Sequence, residues 1–593
     1  MTENLTEHIL VSVAWPYANG PFHVGHVAGV YIPADTFARF QRAQGHQVLM
    51  VSGSDCHGTA ITVRADREGV QPIDIVNRYH PSFLKTFERL GIMFDLFTTT
   101  LTPNHYTVTQ ELFLALLEKG YLFRNKMIAG YSESMGRFLP DRYIEGECYN
   151  CGFKRARGDQ CDNCGILIDI EKLIQPHSIF DEGMVTFRET EHFFLDLPKL
   201  EPALQQWLDS GDKKSYWRSN TIAFTNNWLQ DGLRPRAITR DLDWGVPIPL
   251  ADPGFKDKRI YVWFDAVTGY LSASKEWATR IAGDPDAWTK WWEPNPQAGV
   301  NPSRAYYFIG KDNIPFHTII WPSMLLGVGE LQPPYDVVAN EFMNLEGQKM
   351  STSQNWAVWL PDIEDRYQPD AIRYYMTALA PENRDSSWSW GDFVQRINSE
   401  LIGTYGNLVN RVLSFTYKNF EGCVPPRGQY SATDRELLVL MDETFQEVTQ
   451  MLGTAHFRDA LKKVMALATA ANRYLDEAAP WKRIKVDRDE AAKSLFVVIQ
   501  VINGLKTLAY PFLPFSSQQI HSYLGFPEGD EQAGTYAGLV GEGVIKVPAT
   551  AQWQIEEVPD GQALREPKPI FVKLEDKVIE EELVRLDQQR NKE

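Results

Sequence analysis

The pattern of apolar and polar positions changes character several times along the chain. Short apolar runs at Ile9–Ala14 and Gln47–Ser52 flank a stretch with helical spacing at Ala34–Gln44, and further helical patterns follow to residue 117. This alternation predicts the strands and helices of the first half of a parallel sheet. Pro33 lies just before the first of these helices, so we expect that helix to bend or restart there.

The same kind of pattern resumes in the middle of the chain. Strand-like runs occur at Ile260–Phe264, Ala305–Ile309 and Tyr335–Ala339, and a helix is predicted over Pro315–Leu326. We interpret these elements as the second half of the same sheet. The residues from 117 to about 225 carry glycines, cysteines and mixed charge, and they are predicted to form an insertion between the two halves.

Helical spacing dominates from about residue 358 onward. Four long amphipathic stretches, which predict a helical bundle, cover Asp392–Phe415, Asp434–Met451, Phe457–Ala479 and Glu490–Tyr510. A charged helix is predicted near the end, at Asp576–Gln589. The predicted divisions are a first half-sheet at 1–116, the insertion at 117–225, a second half-sheet at 226–345, a polar loop with a connecting region at 346–390, the bundle at 391–550 and a tail at 551–593.

Composition narrows the class of protein without identifying it. At 593 residues and 44% apolar content, the chain is long enough for several packed cores. We find no run of about 18 uncharged apolar residues that would cross a membrane. Residues 1–7 lack the basic and apolar parts of a secretory signal, so we expect a cytoplasmic protein. The net charge of −18 argues against general binding to nucleic acid but allows a local basic surface.

Four of the six cysteines fall in one short segment. Cys148-x2-Cys151 and Cys161-x2-Cys164 form two pairs separated by nine residues, which is typical of a zinc knuckle. The alternatives are two disulfides or four unrelated buried cysteines, which are less expected in a cytoplasmic chain. Four thiolates leave no open coordination position, so we expect the zinc ion to be structural.

The most informative segment is the turn after the first predicted strand. It reads Trp15-Pro16-Tyr17-Ala18-Asn19-Gly20-Pro21-Phe22-His23-Val24-Gly25-His26 and leads into a segment with helical spacing. Ligands of open α/β sheets collect at such turns, and the free N–H groups of a helix start favour anions. Two imidazoles and a glycine that lets the backbone come close therefore indicate an enzyme that handles phosphates.

This segment resembles the HIGH signature of the class I aminoacyl-tRNA synthetases, present here as His23-Val24-Gly25-His26. The second signature of that class, KMSKS, is similar to Lys349-Met350-Ser351-Thr352-Ser353 in the later polar loop. Flanking segments at Gly53–Thr59, Tyr261–Ala266 and Gly310–His317 narrow the resemblance to the methionyl-tRNA synthetases. The resemblance implies an α/β fold, with a Rossmann-like parallel sheet split by the zinc-knuckle insertion and followed by an α-helical anticodon-binding bundle.

The resemblance also implies a reaction and its participants. L-methionine and ATP would give methionyl-adenylate, and the methionyl group would pass to the initiator and elongator methionine tRNAs, with Mg²⁺ bound to ATP. The implied catalytic residues are His23, His26 and Lys349. The implied ATP-binding residues are Asn19, Gly25, Gly310, Lys311, Asp312, Met350, Ser351, Thr352 and Ser353.

The implied amino-acid pocket is aromatic, which suits the polarizable sulfur of methionine. Asp55 would accept the α-ammonium group, with Arg240 as its ionic neighbour. The implied methionine-binding residues are Ala14, Trp15, Tyr17, Asp55, Arg240, Trp263, Ala266, Val267, Tyr270, Asn313 and His317. Taken singly, each aromatic residue of this set fits a hydrophobic core better than a pocket, and only the motif context favours the pocket.

In the bundle, the resemblance implies recognition of the tRNA anticodon. Asn407 and Arg411 lie four residues apart on one predicted helix face and could read base edges. Trp481 could stack on a base, and the basic run at residues 482–485 could contact phosphates. The alternative is a solvated helix face beside a packed tryptophan.

The signature loop and the pocket depart from the family pattern. Thr352 stands in place of the second lysine of KMSKS, so Lys349, Lys311 or a neighbour would have to supply the missing charge. Gln354 stands where an arginine is common. In the pocket, the residues that differ from some family members are Trp15, Val267 and Asn313.

Two further departures concern metal content and assembly. Ser132, Met135, Ser178 and Asp181 occupy the places of a second set of metal-binding cysteines, so we expect one zinc ion only. The tail is too short for an appended RNA-binding domain, so we expect a monomer.

Three other functions fit parts of this pattern. A synthetase for leucine, isoleucine or valine would carry a large editing domain where this chain has a short insertion. A paralog that adenylates methionine or an analogue without charging tRNA is favoured only by Thr352 and the altered pocket. A catalytically silent RNA-binding protein would have no use for both signature loops. We therefore expect a methionine–tRNA ligase that forms AMP and pyrophosphate.

Overall fold

The computed structural model describes residues 6–140, 143–158, 161, 164, 168–181, 183–293, 303–352, 355–527 and 552–590. Its centre is a five-stranded parallel sheet, with the strands in the spatial order Asp336–Asn340, Ser303–Gly310, His8–Val13, Gln47–Ser54 and Leu96–Thr99. The strand His8–Val13 therefore lies between strands from the two halves of the chain. Its carboxyl end is the switch point at which open α/β sheets bind ligands.

Helices cover both faces of this sheet. Strand residues such as Leu10, Val11, Phe308 and Val337 have 0% exposure, as expected for a parallel sheet buried on both sides. The covering helices are Val24–His26, Ile32–Ala43, Thr59–Glu68, Pro72–Leu90, Pro103–Glu118, Val262–Trp277, Thr289–Trp292 and Trp321–Val328, with π-helical segments at Val27–Tyr31, Ala278–Ala282 and Phe316–Ile320.

One predicted element needs correction. The run Ile260–Phe264, predicted as a strand, is a two-residue strand Arg259–Ile260 followed by the start of the helix Val262–Trp277. A short apolar run cannot distinguish a buried strand from a buried helix, and here almost the whole helix is buried. The helix predicted around Ala34–Gln44 is Ile32–Ala43, and the change from the π-helical segment Val27–Tyr31 to α-helix beside Pro33 agrees with the restart expected there.

The chain between the two halves of the sheet forms small antiparallel sheets. Four strands pair in the order Arg236–Ala237, Val185–Leu195, Leu122–Ser132 and Arg137–Phe138, and three pair in the order Ala156–Arg157, Ile144–Glu147 and Ile174–Ser178. The helices of this region are Leu197–Asp209 and Ser219–Gln230, and 3₁₀ turns lie at Ile170–Lys172, Ser210–Ser215, Pro253–Phe255 and Lys311–Asn313. Two-stranded pairs join Thr239–Arg240 to Arg259–Ile260 and Met343–Leu345 to Ser386–Trp388.

The helical bundle predicted from the amphipathic spacing is present. Its helices are Trp390–Arg396, the π-helical Ile397–Gly406, Asn407–Asn419, Ala432–Gly453, Phe457–Ala478, Pro480–Arg483, Arg488–Ala509 and Pro514–Tyr523. The helices Leu360–Ile363 and Pro369–Ala378 precede it, and Lys577–Arg590 forms the tail helix. Among the described residues, Arg488–Ala509 alone is long and apolar enough to cross a membrane, and 94% of its apolar window is buried inside the fold, the pattern of a core helix.

Candidate functional site

His23 and His26 lie at the start of the helix that follows the central strand. Their rings stack with centroids 3.6 Å apart and an angle of 22° between the planes. Nδ1 of His23 accepts the backbone N–H of Gly25 at 3.1 Å, and Nδ1 of His26 accepts the backbone N–H of His23 at 3.3 Å. Because each Nδ1 is an acceptor, a neutral ring carries its proton on Nε2. The pair therefore offers two Nε2–H donors beside the free N–H groups of a helix start.

Loss of solvation keeps both rings neutral. Burial, and then the neighbouring His26, lowers the pKa of His23 well below its usual value. Loss of solvation lowers the pKa of His26 to about 4, although the residue is exposed at the mouth of the cleft by its accessible surface. Both imidazoles are therefore uncharged near neutral pH, and two uncharged rings can stack without electrostatic repulsion.

The second signature segment contacts the first. A β-carbon on Gly25 would lie 3.2 Å from Cε of Met350, so the methionine packs directly on the glycine. The backbone N–H of Val24 also donates to the carbonyl of Val358 at 2.9 Å, which joins the first segment to the chain that follows the second. The two motifs, which are far apart in sequence, thus meet at one cleft.

Two lysines lie beside this cleft, and they differ in their partners. Both ammonium groups lie over the ring of Phe342, Lys311 at 4.2 Å and Lys349 at 5.9 Å from its centroid. Lys311 also pairs with the carboxylates of Glu341 at 2.6 Å and Asp385 at 2.9 Å. Lys349 is exposed and forms no ion pair with any residue that the structure describes. Lys349 is therefore the cation available to a ligand.

Asp312 follows the strand Ser303–Gly310 at its carboxyl end. A β-carbon on Gly310 would lie 2.9 Å from Oδ1 of Asp312, so glycine leaves room for this carboxylate. Burial raises the pKa of Asp312, and the nearby cations Lys311 and Lys349 offset part of that rise. The carboxylate, the two ammonium groups and the signature loop are therefore close together.

The rest of the predicted ATP set lies on either side of the cleft. Ser351 pairs with Trp356 in an antiparallel bridge, with its N–H 2.9 Å from the carbonyl of that residue, and Thr352 follows without any charge. The carbonyl of Asn19 accepts a hydrogen bond from the guanidinium of Arg64. Ser353 and Gln354 lie outside the described residues.

Aromatic side chains predicted for the amino-acid pocket gather near the end of the central strand. Trp263 stacks on Phe316 with centroids 3.9 Å apart and planes 8° apart, and Tyr17 meets Trp263 edge-on at 6.4 Å. The hydroxyl of Tyr270 and Nε2 of His317 are 2.7 Å apart. We call these aromatic side chains the aromatic wall, and such a lining suits a pocket that holds an apolar side chain.

His317 has a defined proton position. Its Nδ1 lies 2.9 Å from the carbonyl of Asn313, so Nδ1–H donates there and Nε2 accepts the hydroxyl hydrogen of Tyr270. Burial lowers the pKa of His317 to about 4, against a small opposing effect of the hydrogen bond to Asn313. The ring is therefore a neutral, fixed part of the wall.

Trp15 occupies a space that two glycines create. A β-carbon on Gly269 would lie 2.6 Å from its indole ring, and one on Gly53 would clash with it even more closely. Its Nε1 is buried and has no hydrogen-bond partner among the described residues. Ala14, next to Trp15 in the sequence, donates its N–H to the carbonyl of Phe308 at 3.0 Å. Ala266 and Val267 are buried on the helix Val262–Trp277, close in sequence to Trp263.

Asp55 is buried directly after the strand Gln47–Ser54. Its Oδ1 accepts the backbone N–H of His57 at 3.1 Å, and its own N–H donates to the carbonyl of Pro16 at 2.8 Å. Burial, and then the nearby carboxylate of Asp265, raises the pKa of Asp55 well above its usual value. The ionised form of a buried carboxylate with a raised pKa is stabilised by a cation that binds beside it.

Arg240, expected as the ionic neighbour of Asp55, does not form that ion pair. Its guanidinium donates to the carbonyls of Ala237 at 3.2 Å and Thr239 at 2.9 Å, and it lies 4.1 Å from the ring centroid of Tyr261. Local carbonyl groups and the aromatic ring hold the guanidinium on its own strand, so the carboxylate of Asp55 has no pair with it.

The four cysteine sulfurs of the insertion converge. Sγ of Cys148 lies 3.9 Å from that of Cys164, and Sγ of Cys151 lies 3.6 Å from that of Cys161. Four sulfurs about 2.3 Å from a tetrahedral zinc ion would be roughly 3.8 Å apart, whereas a disulfide bond is about 2.05 Å long. The distances therefore fit a zinc site. A glycine at φ 71°, Gly152, allows the tight turn after the first pair.

The positions predicted to replace a second set of metal ligands form a hydrogen-bonded cluster instead. Oγ of Ser132 lies 2.8 Å from Oγ of Ser134 and accepts the N–H of Met135 at 3.2 Å. Ser134 in turn donates to Asp181, and Oγ of Ser178 accepts the N–H of a neighbouring residue at 3.3 Å. Hydroxyl groups paired in this way are poor zinc ligands.

The structure brings two of the three predicted anticodon residues into contact. The guanidinium of Arg411 lies 4.4 Å from the ring centroid of the half-buried Trp481 and 3.7 Å from the carboxylate of Asp476. Asn407 is exposed one turn earlier on the helix of Arg411. The exposed side chains of Lys482, Arg483 and Lys485 follow Trp481.

Several residues of the site were missed by the sequence analysis. Phe316 stacks under Trp263, Phe342 lies under the two lysines, and Trp359 pairs with His23 through a backbone bridge and a ring contact at 6.0 Å. Their only signal in the sequence is that each lies close to a recognised motif.

Comparison with known proteins gives a consistent answer. A family model described as tRNA synthetases class I (M) matches residues 9–413, and one described as the anticodon binding domain of methionyl tRNA ligase matches residues 424–591. A methionine–tRNA ligase of Roseiflexus castenholzii is 60% identical over 591 residues, which cover 98% of this chain and 99% of the relative. One of Thermomicrobium roseum is 51% identical over 591 residues, with the same coverage of 98% and 99%.

A solved structure agrees with these relatives. The methionyl-tRNA synthetase of Mycobacterium tuberculosis in complex with methionyl-adenylate matches with a TM-score of 0.75 at 25% identity, over 95% of this chain and 100% of that chain. The fold class and the resemblance inferred from the two signatures are confirmed. The chain belongs to the methionine–tRNA ligases, a family of class I tRNA synthetases.

Proposed function

We propose that this chain activates L-methionine with ATP to methionyl-adenylate and transfers the methionyl group to the initiator and elongator methionine tRNAs. The observation that carries the proposal is the cleft in which His23 and His26 meet the loop of Lys349 and Met350. This cleft lies at the switch point of the parallel sheet and next to an aromatic pocket.

In the first step, the carboxylate of methionine attacks the α-phosphorus of ATP, and the bond to the bridging oxygen breaks to release pyrophosphate. No covalent bond to the protein is needed, so the protein contributes positioning and charge. His23 and His26 donate Nε2–H bonds to phosphate oxygens without adding charge. Lys349 supplies positive charge to the departing pyrophosphate, because the charge of Lys311 is offset by Glu341 and Asp385.

These residues also fit a Mg²⁺ ion carried by ATP. Neutral imidazoles and a single available lysine leave most of the phosphate charge unbalanced. A bound Mg²⁺ would supply the positive charge that these residues leave unbalanced, while His23, His26 and Lys349 contact the same phosphates.

Asp55 and the aromatic wall divide the recognition of methionine between them. Asp55 is buried and lacks an ion pair with Arg240, so the α-ammonium group of the substrate supplies the missing cation. Trp263, Tyr270 and His317 line the place of the thioether, where each contact between sulfur and an aromatic ring contributes about 0.3–1.5 kcal/mol. The remaining predicted residues of the ATP and methionine sites belong to this proposal in the same roles, except Arg240, which does not pair with Asp55.

The bundle and the insertion have separate roles. Trp481 stacks on an anticodon base, while Asn407 and Arg411 read base edges. Cys148, Cys151, Cys161 and Cys164 hold one structural zinc ion, which fixes the insertion. We infer further that the protein is a cytoplasmic monomer whose divisions follow those predicted from the sequence.

Two assays test the proposal. Purified protein, replete with zinc and supplied with Mg²⁺, should exchange pyrophosphate into ATP with methionine but not with other amino acids, and it should charge total tRNA with methionine. Lys349→Ala is the matched inactive control. Exchange without charging would instead favour a paralog that only adenylates, and no exchange with any amino acid would refute the enzyme proposal.

A further inference from the structure

A buried hydrogen-bond network lies directly behind the amino-acid site. Asp265, on the helix Val262–Trp277, accepts Nδ1–H of His57 on Oδ2 at 2.6 Å and Nε2–H of His105 on Oδ1 at 2.5 Å. His57 is 3% exposed, and the other two side chains are fully enclosed at 0%. The three residues come from three distant parts of the chain, and the mechanism proposed above uses none of them.

The network is fully partnered at its outer ends. Nε2 of His57 lies 3.2 Å from the hydroxyl of Tyr106, and Nδ1 of His105 lies 2.7 Å from Oγ of Ser272. The ligand atoms of the central three residues lie within 4.8 Å of one another, which could suit a metal ion. However, a ring nitrogen that donates a proton to Asp265 cannot at the same time bind a metal. The geometry is therefore that of a hydrogen-bond network.

The network contacts the site at two places. The backbone N–H of His57 donates to Oδ1 of Asp55 at 3.1 Å while its ring donates to Asp265. The ring of His105 lies 6.1 Å from that of Trp15, a predicted pocket residue. Asp265 thus ties the loop that holds Asp55 to the helix that carries Trp263 and Tyr270.

The pKa values of the two buried carboxylates of this region, Asp55 and Asp265, are shifted in opposite directions. Burial alone would raise the pKa of Asp265, but attraction to His57 and His105 outweighs it and lowers the pKa to about 2. Burial and the charge of Asp265 raise the pKa of Asp55 well above its usual value. Asp265 is therefore already compensated by protein groups, and Asp55 is left for a cation from outside.

We propose that Asp265 is a positioning residue for amino-acid binding, which fixes the Asp55 loop through His57 and so sets the affinity for the α-ammonium group of the substrate. This inference rests on the proposed function, because it assigns that ammonium group to Asp55. A charge-assisted hydrogen bond lost at such a site corresponds to roughly a 10- to 100-fold loss of affinity.

The first test compares two isosteric changes on one helix. Asp265→Asn puts an amide N–H against one of the two ring donors, so the KM for methionine in pyrophosphate exchange should rise roughly 10- to 100-fold with the KM for ATP unchanged. Glu276→Gln is the matched control. Glu276 is also buried, at 4%, and accepts Thr98 Oγ1 at 2.9 Å, but it lies about 16 Å farther along the helix axis. A rise in both KM values, or in neither, would overturn the inference.

The second test separates the hydrogen bond from the volume of the side chain. In His57→Asn the amide nitrogen takes the place of Nδ1 and can still donate to Asp265, whereas in His57→Gln it takes the place of Nε2 and faces Tyr106. We expect the asparagine variant to keep most of the methionine affinity and the glutamine variant to lose it. Equal impairment of the two would show that the bond to Asp265 does not matter. This pair keeps the test decisive even if Asp265→Asn does not fold.

The third test varies the ligand. Binding of 4-(methylthio)butanoate, which lacks the amino group of methionine, is measured by competition in the exchange assay. Asp265→Asn should weaken methionine but leave this analogue unchanged, because Asp55 has no ammonium group to bind in it. A parallel loss for both ligands would assign Asp265 to the side-chain pocket and refute the inference. Wild-type protein without methionine-dependent exchange would refute the proposed function itself, and this inference with it.

Discussion

Replacing Trp481 with alanine should weaken tRNA charging and leave methionine activation intact. Trp481 lies in the short helix Pro480–Arg483, is half-buried, and carries the guanidinium of Arg411 at 4.4 Å from its ring centroid. An aromatic ring with an exposed part and a cation beside it is suited to stack on a nucleobase.

The magnitude follows from the contacts that the change removes. Stacking of a base on an aromatic side chain is worth about 1–3 kcal/mol, which corresponds to a loss of roughly 5- to 150-fold in kcat/KM for tRNA. The contact between Arg411 and Trp481 is worth about 0.5–1 kcal/mol at a partly exposed site. The free energy of unfolding should fall by a similar small amount, since the indole is only partly buried. Neither contact involves the residues of the cleft at His23 and Met350, so methionine-dependent pyrophosphate exchange should be unchanged.

Aminoacylation at varied tRNA concentration and methionine-dependent pyrophosphate exchange are measured on the same preparations. Trp553→Ala is the matched control, because Trp553 is also half-buried but stacks on Phe445 at 5.3 Å and donates to Thr449 at 2.7 Å. That variant should lower thermal stability without changing the ratio of charging to exchange. The reasoning on Trp481 is refuted if its replacement reduces both activities equally, or if the variant still discriminates against a tRNA with an altered anticodon as strongly as wild type.

Three further changes test other parts of the molecule. Cys148→Ser should release zinc and lower the thermal midpoint, and elemental analysis of wild type that finds no zinc would contradict the site. Lys349→Ala should lower kcat for pyrophosphate exchange roughly 10²- to 10³-fold, with methionine binding unchanged. A much smaller decrease in kcat would mean that Lys311 supplies the missing positive charge. Because burial lowers the pKa of His317 to about 4, the unfolded chain binds more protons below about pH 6.5, and stability should fall as pH drops from there to about 4. The thermal midpoint of wild type should therefore fall more than that of His317→Gln between about pH 7 and pH 5, and parallel curves would contradict the buried neutral ring.

Long helices were the part of the fold that sequence predicted best. The stretch predicted at Phe457–Ala479 is the helix Phe457–Ala478, and the one predicted at Glu490–Tyr510 is Arg488–Ala509. An amphipathic period repeated over six turns is a strong local signal. The run Ile260–Phe264 is too short to carry such a signal, and its helical state depends on burial within the tertiary fold.

The site shows the same division between local and tertiary information. Motifs gave the residues of the cleft where His23 and His26 meet Met350, because a turn and a helix start are local structures that sequence specifies. Asp55 and Asp265 are both acidic residues inside recognised motifs, and nothing in the sequence separates a compensated carboxylate from an uncompensated one. The difference comes from His105, which reaches Asp265 only when two distant helices pack together. Likewise, the carbonyls that hold Arg240 away from Asp55 become its partners only in the folded strand.

The balance of charge in the cleft explains how this chain can carry Thr352 in the signature loop. His23 is neutral, and Lys311 is offset by two carboxylates, so Lys349 provides most of the fixed positive charge. Fixed cations that bound ATP and the transition state equally well would lower KM without raising kcat, since only interactions that strengthen in the transition state accelerate the reaction. A cleft with little fixed charge would leave that work to a metal ion bound to the phosphates and to Lys349 of the signature loop. The absence of a second lysine should therefore slow the release of pyrophosphate more than it weakens the binding of ATP.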